Sequence, residues 1–503
     1  MRRLPLVLLI LLWALPAVAG PYQATVDAAR DIRTVPRADR KNIRYFWDPE
    51  DPATKIGAKN LQDDEVAFQY HLNRTSRRAK FARPHKVSPT LWRVDVSDVG
   101  WDRRVLDVAA DIDPYFHEQV KKRVRLPVKM MKKGKAKARF TTKVVSGPAS
   151  WLPRKDIDHL ISQTRSQAPI LNMRWFFANT ARQLNLSNKE TGLGYYNLLG
   201  IGNRQDYFDL IGLIVNESVK RELNVRAALG PGESKVANNG RQFERNAAIT
   251  GGEWSTFDTD DPTGTGAPTA NLLRGEFKHK AEERYGRLPN GLDVTIACDN
   301  KGVLQAKVPD FVGADESKLN ISRDRAIHPN LGCLRCHNGE DGLVLRNIGV
   351  GGKCSVRLNY EMGTSVWLAS PIKRVRDELE RLYLGNLSEH LAEDRSRYVR
   401  ATQLATVTLH TPKGLEVKAA AAIYAGLWNR QVEAGVTLEQ AAVELGCTSA
   451  EVVKAFKIQA TTVRGLDPLL APFIHKTPRT ISRITFEDKY RLAQYYMRGD
   501  SFD

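Results

Sequence analysis

Five residues in one stretch have the types and spacing to do chemistry: Cys333-Leu334-Arg335-Cys336-His337, within NLGCLRCHNGEDG. Two thiols three positions apart can reach the two vinyl groups on one edge of a porphyrin and form thioethers. An imidazole directly after the second thiol then falls beneath the iron as its proximal ligand. With five cysteines and ten histidines in 503 residues, chance yields this pattern about once in a thousand such chains. The expected cofactor is one covalently attached haem c, held by Cys333 and Cys336, with His337 as the proximal iron ligand. Two other readings of the thiols stand beside it. A structural zinc site would draw on Cys298, Cys333, Cys336 and Cys354, but zinc gives no reason for a histidine to follow at once. A Cys333–Cys336 redox disulfide would need a βαβ setting that the flanking sequence lacks.

The sixth iron position decides what the site does. A Met or His opposite His337 gives a saturated haem for one-electron transfer, whereas an open position gives a peroxidase-like or substrate-oxidising oxidoreductase. Transfer is the expected role, and no catalytic residue is assigned. The distal candidates are Met362 in LNYEMGTS and His390 in DELERLYLGNLSEHLAEDRSRYVR; His328 and His410 trail. Of the remaining thiols, Cys298 and Cys354 bracket the motif and are expected to close a disulfide around it, leaving Cys447 as a buried odd thiol.

The chain opens MRRLPLVLLILLWALPAVAG, a cationic start, a short apolar run and Ala17-Val18-Ala19. This reads as a secretory signal peptide over residues 1–19, too short and proline-broken for the ~20 residues that cross a bilayer. The mature chain is expected in the periplasm or secreted, with no transmembrane segment, in the kind of space where haem c is assembled. Lys+Arg 76 against Asp+Glu 57 gives +19. For an exported chain that charge points to an acidic redox partner or an anionic envelope surface and not to nucleic acid. The densest patch, Lys121 to Arg139, holds ten basic residues in nineteen with no acid, and looks like an insertion or exposed hairpin. Five cysteines are too few for a disulfide scaffold.

The elements that must position the motif are expected as follows. Asn42 to Phe81 reads as mostly helical, and Leu91 to Val96 alternates like a half-buried strand. Helices are expected around Trp175–Leu184 and Gln205–Arg221, and the Gly-, Pro- and Asn-rich text from Gly230 to Ala270 reads as largely loop. In LPNGLDVTIACDNKGVLQAKV, two turns at Pro289-Asn290-Gly291 and Asp299 to Gly302 flank a strand over Leu292 to Ala297, with a return from Val303. Beyond the motif the chain reads as helical. VTLEQAAVELGCTSAEVVKAF, with Ala442, Gly446 and Val452, has helix-turn-helix spacing; export and the sparse charge, Lys454 and Lys457 against Glu451, make it a structural hairpin. G-x-S-x-G and H-E-x-x-H are missing, and GVGGKCS is no phosphate loop. The fold class is α+β. The expected units are a mixed domain over 20–286, the hairpin and haem region over 287–411, and a helical region over 412–503.

Taken together, IRYFW, LWRVDVSDVGWD, NMRWFFANTA, YYNLLGI, NNGRQFER, EWSTFD, LPNGLDV, the Cys333 loop, HLAEDRSRY and AAVELGCTSAEV resemble a family of large exported bacterial proteins with a single C-x-x-C-H motif, described only as cytochrome c-like. The resemblance implies a secreted monohaem protein whose helical C-terminal part carries the haem beneath a long mixed domain. It also marks two departures. Cys298 and Cys354 stand where the family has no cysteines, which fits an added disulfide. Leu387 stands where relatives often carry a methionine, which shifts weight to His390.

Overall fold

The computed structural model describes residues 20–125, 140–183, 193–221, 224–229, 241–260, 279–312, 326–336 and 387–499. The expected signal peptide, residues 126–139 of the basic run, His337, Cys354 and Met362 lie outside the described residues. The architecture is α+β, as expected: two sheets and a two-stranded ribbon, closed by helices that dominate after residue 387.

IRYFW, expected within a helical segment, is instead strand β1 (Ile43–Trp47), and all five residues are buried. Aromatic and β-branched residues favour a pleated surface, and a strand covered on both faces shows no alternation for a sequence reading to find. β1 pairs antiparallel with β3 (Leu91–Asp95), the strand expected there, and parallel with β6 (Ile170–Asn172). β2 (His85–Ser88) completes the order β2-β3-β1-β6. Helix α1 (Pro21–Asp31) packs near this sheet, its N-cap Gly20 in close backbone approach to Gly446. Helix α2 (Lys55–Arg74) is capped by Thr54, whose hydroxyl accepts from Gly57 N at 2.9 Å. Its second half is wholly buried from Val66 to Arg74. β4 (His117–Arg125) and β5 (Phe140–Pro148) form the two-stranded ribbon that flanks the rest of the basic run.

The second sheet has six antiparallel strands in the order β12-β11-β10-β9-β8-β7. β7 spans Val225–Leu229, β8 Arg241–Ala248 and β9 Gly251–Asp258, so part of the stretch expected as loop is paired strand. Their charged residues mislead a reading by composition, because they pair with one another inside: Arg241 donates to Asp258 at 2.7 Å and to Glu283 at 2.8 Å. β10 (Ala281–Arg287), β11 (Asp293–Asp299) and β12 (Leu304–Gln305) realise the expected turns, with Gly291 at φ 88° and Gly302 at φ 81° where only glycine sits without strain. β10 and β11 pair along their whole length, so the expected 286/287 division runs through one sheet. The main apolar cluster extends from Ala24 to Ala493, and a smaller one gathers Ala281, Ala297, Val308, Val312 and Ile327.

Helix α3 (Met173–Thr180) and α4 (Arg204–Ile211) match two expected helices, although the second ends at Gly212 in the left-handed region and a short helix follows at Val215–Lys220. α5 (Leu331–Cys336) carries the two motif cysteines, and after it come α6 (Leu387–Ala405), α7 (Val417–Trp428), α8 (Leu438–Leu445), α9 (Ser449–Ala460) and α10 (Arg483–Arg498). α8 and α9 are the expected hairpin, each opened by a complete capping box, at Thr437/Gln440 and Thr448/Glu451. Among the described residues no helix is long and apolar enough to cross a membrane.

Candidate functional site

Strand alternation gives the six-stranded sheet two distinct faces. Val294, Ile296 and Cys298 share one face with Glu282 and Arg284, over which α4 packs: the Arg284 guanidinium lies 4.9 Å from the Phe208 ring. Asp293, Thr295 and Ala297 share the other face with Arg287 and Trp254. The motif helix α5 docks on this second face. Asn330, just ahead of it, donates its backbone N–H to Thr295 Oγ1 at 2.6 Å, and Leu331 N donates to Ala181 O at 3.3 Å. Positions 333 and 336 are one helical turn apart, so the backbone puts both on one side of α5. Cys333 is buried beside Leu331 and Leu334, within electrostatic reach of Tyr195 and Tyr196.

A connected set of buried polar groups holds the start of α5. Arg74, the last residue of α2, donates from Nη1 and Nη2 to both oxygens of Asp293 at 2.6 and 2.7 Å, and from Nε to Asn330 Oδ1 at 2.8 Å. Asn330 Nδ2 donates to Ala181 O at 2.9 Å and to the Tyr424 hydroxyl at 3.1 Å. His71 links Tyr424 to Thr180, at 2.8 Å on each ring nitrogen. The Thr180 hydroxyl spends its single proton on Phe176 O at 2.7 Å, so it accepts from His71 Nε2–H, and Nδ1 accepts from the Tyr424 hydroxyl. That assignment requires neutral imidazole. Burial, aided by the Arg74 charge, pushes His71 down to about 3, in agreement. Burial likewise raises the Tyr195, Tyr196 and Tyr424 phenols above their ordinary range, so all three stay neutral. Arg74, Asp293, Asn330, His71 and Thr180 are fully enclosed, and such a network is stabilising only because its charges and donors are matched.

The helix on the far side of the motif docks on the same sheet face. In α6, Asp394 accepts from Arg245 Nε and Trp254 Nε1, each at 2.9 Å, while Tyr398 stacks 5.1 Å from the Arg287 guanidinium. Burial opposes ionisation of Asp394, and the bonds from Arg245 and Trp254 together with the Arg245 and Arg287 charges outweigh it, holding the carboxyl below its usual range. His390 lies one turn ahead of Asp394, half-buried.

The expected site residues divide accordingly. Cys333 and the backbone of Cys336 are where a one-turn thiol pair must be, and His390 is on a helix that shares their sheet face; His337 and Met362 fall outside the described residues. The one-turn spacing of positions 333 and 336 is compatible with two thioether links to one porphyrin. Cys298 is a free thiol that donates to Glu282 Oε2 at 3.4 Å on the face opposite the motif, and Cys354, its expected partner, lies outside the described residues. Burial, with Glu282 alongside, pushes that thiol up to about 12. The same placement removes Cys298 from the four-cysteine zinc set. Cys447, the odd thiol, is partly buried at the α8–α9 turn, its Sγ 3.6 Å from Ala442 O. Among the described residues no group of three or more His, Cys, Asp or Glu could hold a metal ion.

Arg74, Asp293, Asn330, His71 and Tyr424 are the functional-site residues that sequence reasoning missed. Two faint signals were present: an aspartate opening an otherwise apolar strand in GLDVTIA, and an asparagine, tolerant of left-handed backbone, directly before the motif. Comparison of the chain with models of known families, with curated proteins and with solved structures finds no match in any of the three.

Proposed function

We propose that the chain is an exported monohaem electron-transfer protein, with Cys333 and Cys336 as the attachment thiols and His337 as the proximal iron ligand. The observation that carries this reading is the arrangement around the motif. α5, with positions 333 and 336 one turn apart, is pinned to the same sheet face on which α6, the helix that carries His390, docks through Asp394. When bound, the haem supplies one-electron chemistry between ferrous and ferric iron. The chain supplies the rest. Leu331, Leu334 and the neutral Tyr195 and Tyr196 give Cys333 dry, uncharged surroundings, which favour whichever iron state carries less net charge. The matched Arg74–Asp293 pair fixes the start of α5 without leaving a net charge beside it. The basic excess, +19 over the whole chain and +17 once Arg2 and Arg3 are removed with residues 1–19, favours encounter with an acidic partner or an anionic envelope surface.

The test is expression in a host competent for haem c maturation. The purified chain should lack residues 1–19, contain one iron, and exceed the mass of its amino acids by one haem that survives denaturation. Cys333→Ser and Cys336→Ser should each lose a thioether, and the double variant should lose covalent haem altogether. His390→Ala and Met362→Ala then identify the distal ligand by which one turns a low-spin spectrum high-spin. A colourless, iron-free product from that host defeats the proposal.

A further inference from the structure

The Cys333 turn hangs on a single corner residue. Asn330 has φ 69°, in the left-handed region, which among the described non-glycine residues only Arg165 also adopts. A side chain in that region is held there by its surroundings or not at all. Here every polar group of the residue is engaged. The N–H goes to Thr295 Oγ1 at 2.6 Å, Oδ1 takes the Arg74 Nε–H at 2.8 Å, and the amide nitrogen serves Ala181 O and the Tyr424 hydroxyl. Its carbonyl accepts from Leu334 N at 3.2 Å, which starts α5 itself. Asn330 is wholly enclosed and three positions ahead of the first thiol. Its φ therefore sets the direction in which the next turn leaves the sheet.

We propose that Asn330, gripped by Arg74, is the positioning residue of the Cys333 turn, fixing which side of α5 presents its thiols to the porphyrin. The hold comes from three separate elements: α2 through Arg74, β11 through Thr295, and α7 through Tyr424. Rotation of the corner breaks bonds to all three at once. Glycine at this position keeps the left-handed backbone and loses the grip, whereas aspartate keeps an acceptor for Arg74 and loses the amide donors. The two substitutions therefore separate backbone conformation from side-chain anchoring.

This inference rests on the haem reading, and the experiment tells their failures apart. The full mature chain is made in two hosts, one competent for haem attachment and one not, as wild type, Asn330→Gly, Asn330→Asp and the control Thr448→Ala. The control weakens an exposed helix cap far from the motif. In the haem-free chain, alkylation of each cysteine by a maleimide is followed by peptide mass. In the haem-loaded chain, the midpoint potential is measured. Asn330→Gly deletes three buried side-chain hydrogen bonds and is expected to raise alkylation at Cys333 at least about tenfold, the effect of losing even one of them. Cys298 and Cys447 should be unchanged. The same variant should shift the potential, Asn330→Asp should recover part of both effects, and Thr448→Ala should move neither. Wild-type alkylation at Cys333 in Asn330→Gly, or an equal rise in Thr448→Ala, overturns the proposal. A wild-type chain that takes up no haem sinks the haem reading alone, since the alkylation rates still decide whether Asn330 sets the turn.

Discussion

Two buried ionic clusters tie distant parts of this chain together, and they are balanced differently. At the motif, one guanidinium meets one carboxylate: Arg74 forks onto Asp293, and the surrounding partners are neutral. At the junction of the ribbon region with the C-terminal helices, one guanidinium faces two carboxylates. Arg483 donates to both oxygens of Glu444 at 2.7 Å, while Glu487 is left to Gln431 at 2.8 Å and the Tyr115 hydroxyl at 3.4 Å. Burial raises the Glu487 carboxyl to about 8, with Arg483 opposing and Glu444 reinforcing the shift. The first cluster is a fixed anchor across neutral pH. The second holds a proton that rising pH removes.

The largest effect should come from unbalancing the anchor. Arg74→Leu leaves Asp293 buried without its cation, a change that costs about 3–5 kcal/mol in comparable pairs. Urea denaturation of the full chain should show it. Replacing both members, Arg74→Leu with Asp293→Leu, should recover much of that loss because no uncompensated charge remains. If the double variant is as unstable as the single one, the pair's value is in the bonds Arg74 donates to Asn330 Oδ1 at 2.8 Å and to the Tyr70 hydroxyl at 3.2 Å, and not in its charge balance.

The second cluster sharpens the comparison through pH. The folded Glu487 holds its proton more tightly than the unfolded residue, whose ordinary value is 4.5. Its contribution is fully present below about pH 4.5 and is lost as pH rises toward 8, with a slope of at most about 1.4 kcal/mol per pH unit. Glu487→Gln should flatten that alkaline limb in denaturation curves taken from pH 5 to 9. His71 titrates in the opposite sense: its stabilisation is present above about 6.5 and lost as pH falls toward 3. An alkaline slope that persists in Glu487→Gln places the titrating group elsewhere, with the buried Asp113, also raised by burial, the first to examine.

The same two regions differ in how much of them is legible in sequence. The hairpin α8–α9 is local: Thr437 with Gln440, Thr448 with Glu451 and the turn at Gly446 all fall within fifteen positions, so periodicity and cap residues reveal it. The Asn290-Gly291 turn and the Cys333 motif are legible for the same reason. The anchor is not, because Arg74, Asp293 and Asn330 are far apart in the chain and meet only after β11 has joined its sheet. β1 is hidden by burial on both faces. β8 and β9 are hidden by charged residues that would mark a loop if they faced water but instead pair inside, Arg241 with Asp258 across the sheet and Arg245 with Asp394 of α6. The facing of Cys298 is equally hidden: bracketing the motif in sequence says nothing about which side of β11 residue 298 occupies.

Smaller effects are expected at the α8–α9 turn, where the C-terminal cluster meets the N-terminus of the fold. Gly446 has φ 76° and lies against Gly20. Gly446→Ala should therefore lose about 1–2 kcal/mol from left-handed strain, more if the added methyl pushes Gly20 away. A loss below that range would mean that the turn relaxes without disturbing α1.

The smallest expected change is at Thr448. Its hydroxyl accepts from Glu451 N at 3.3 Å and its backbone N–H donates to Glu451 Oε2 at 2.7 Å, a complete capping box exposed to water. Because solvent can replace part of what is lost, Thr448→Ala should cost about 1 kcal/mol. That cost should not vary with pH between 6 and 9, since Glu451 is held below its ordinary range by the bonds from Thr448 and stays ionised throughout. The contrast with Glu487 is the point of the measurement. Both are glutamates near the start of C-terminal helices, but one is solvated and ionised while the other is half-buried against Tyr115 and Gln431 and keeps its proton. Burial, and not helix position, therefore determines which of them makes the fold sensitive to pH. If Thr448→Ala steepens the alkaline limb as much as Glu487→Gln flattens it, the two sites are coupled through α8 and the cluster at Glu444 is not an isolated titrating unit.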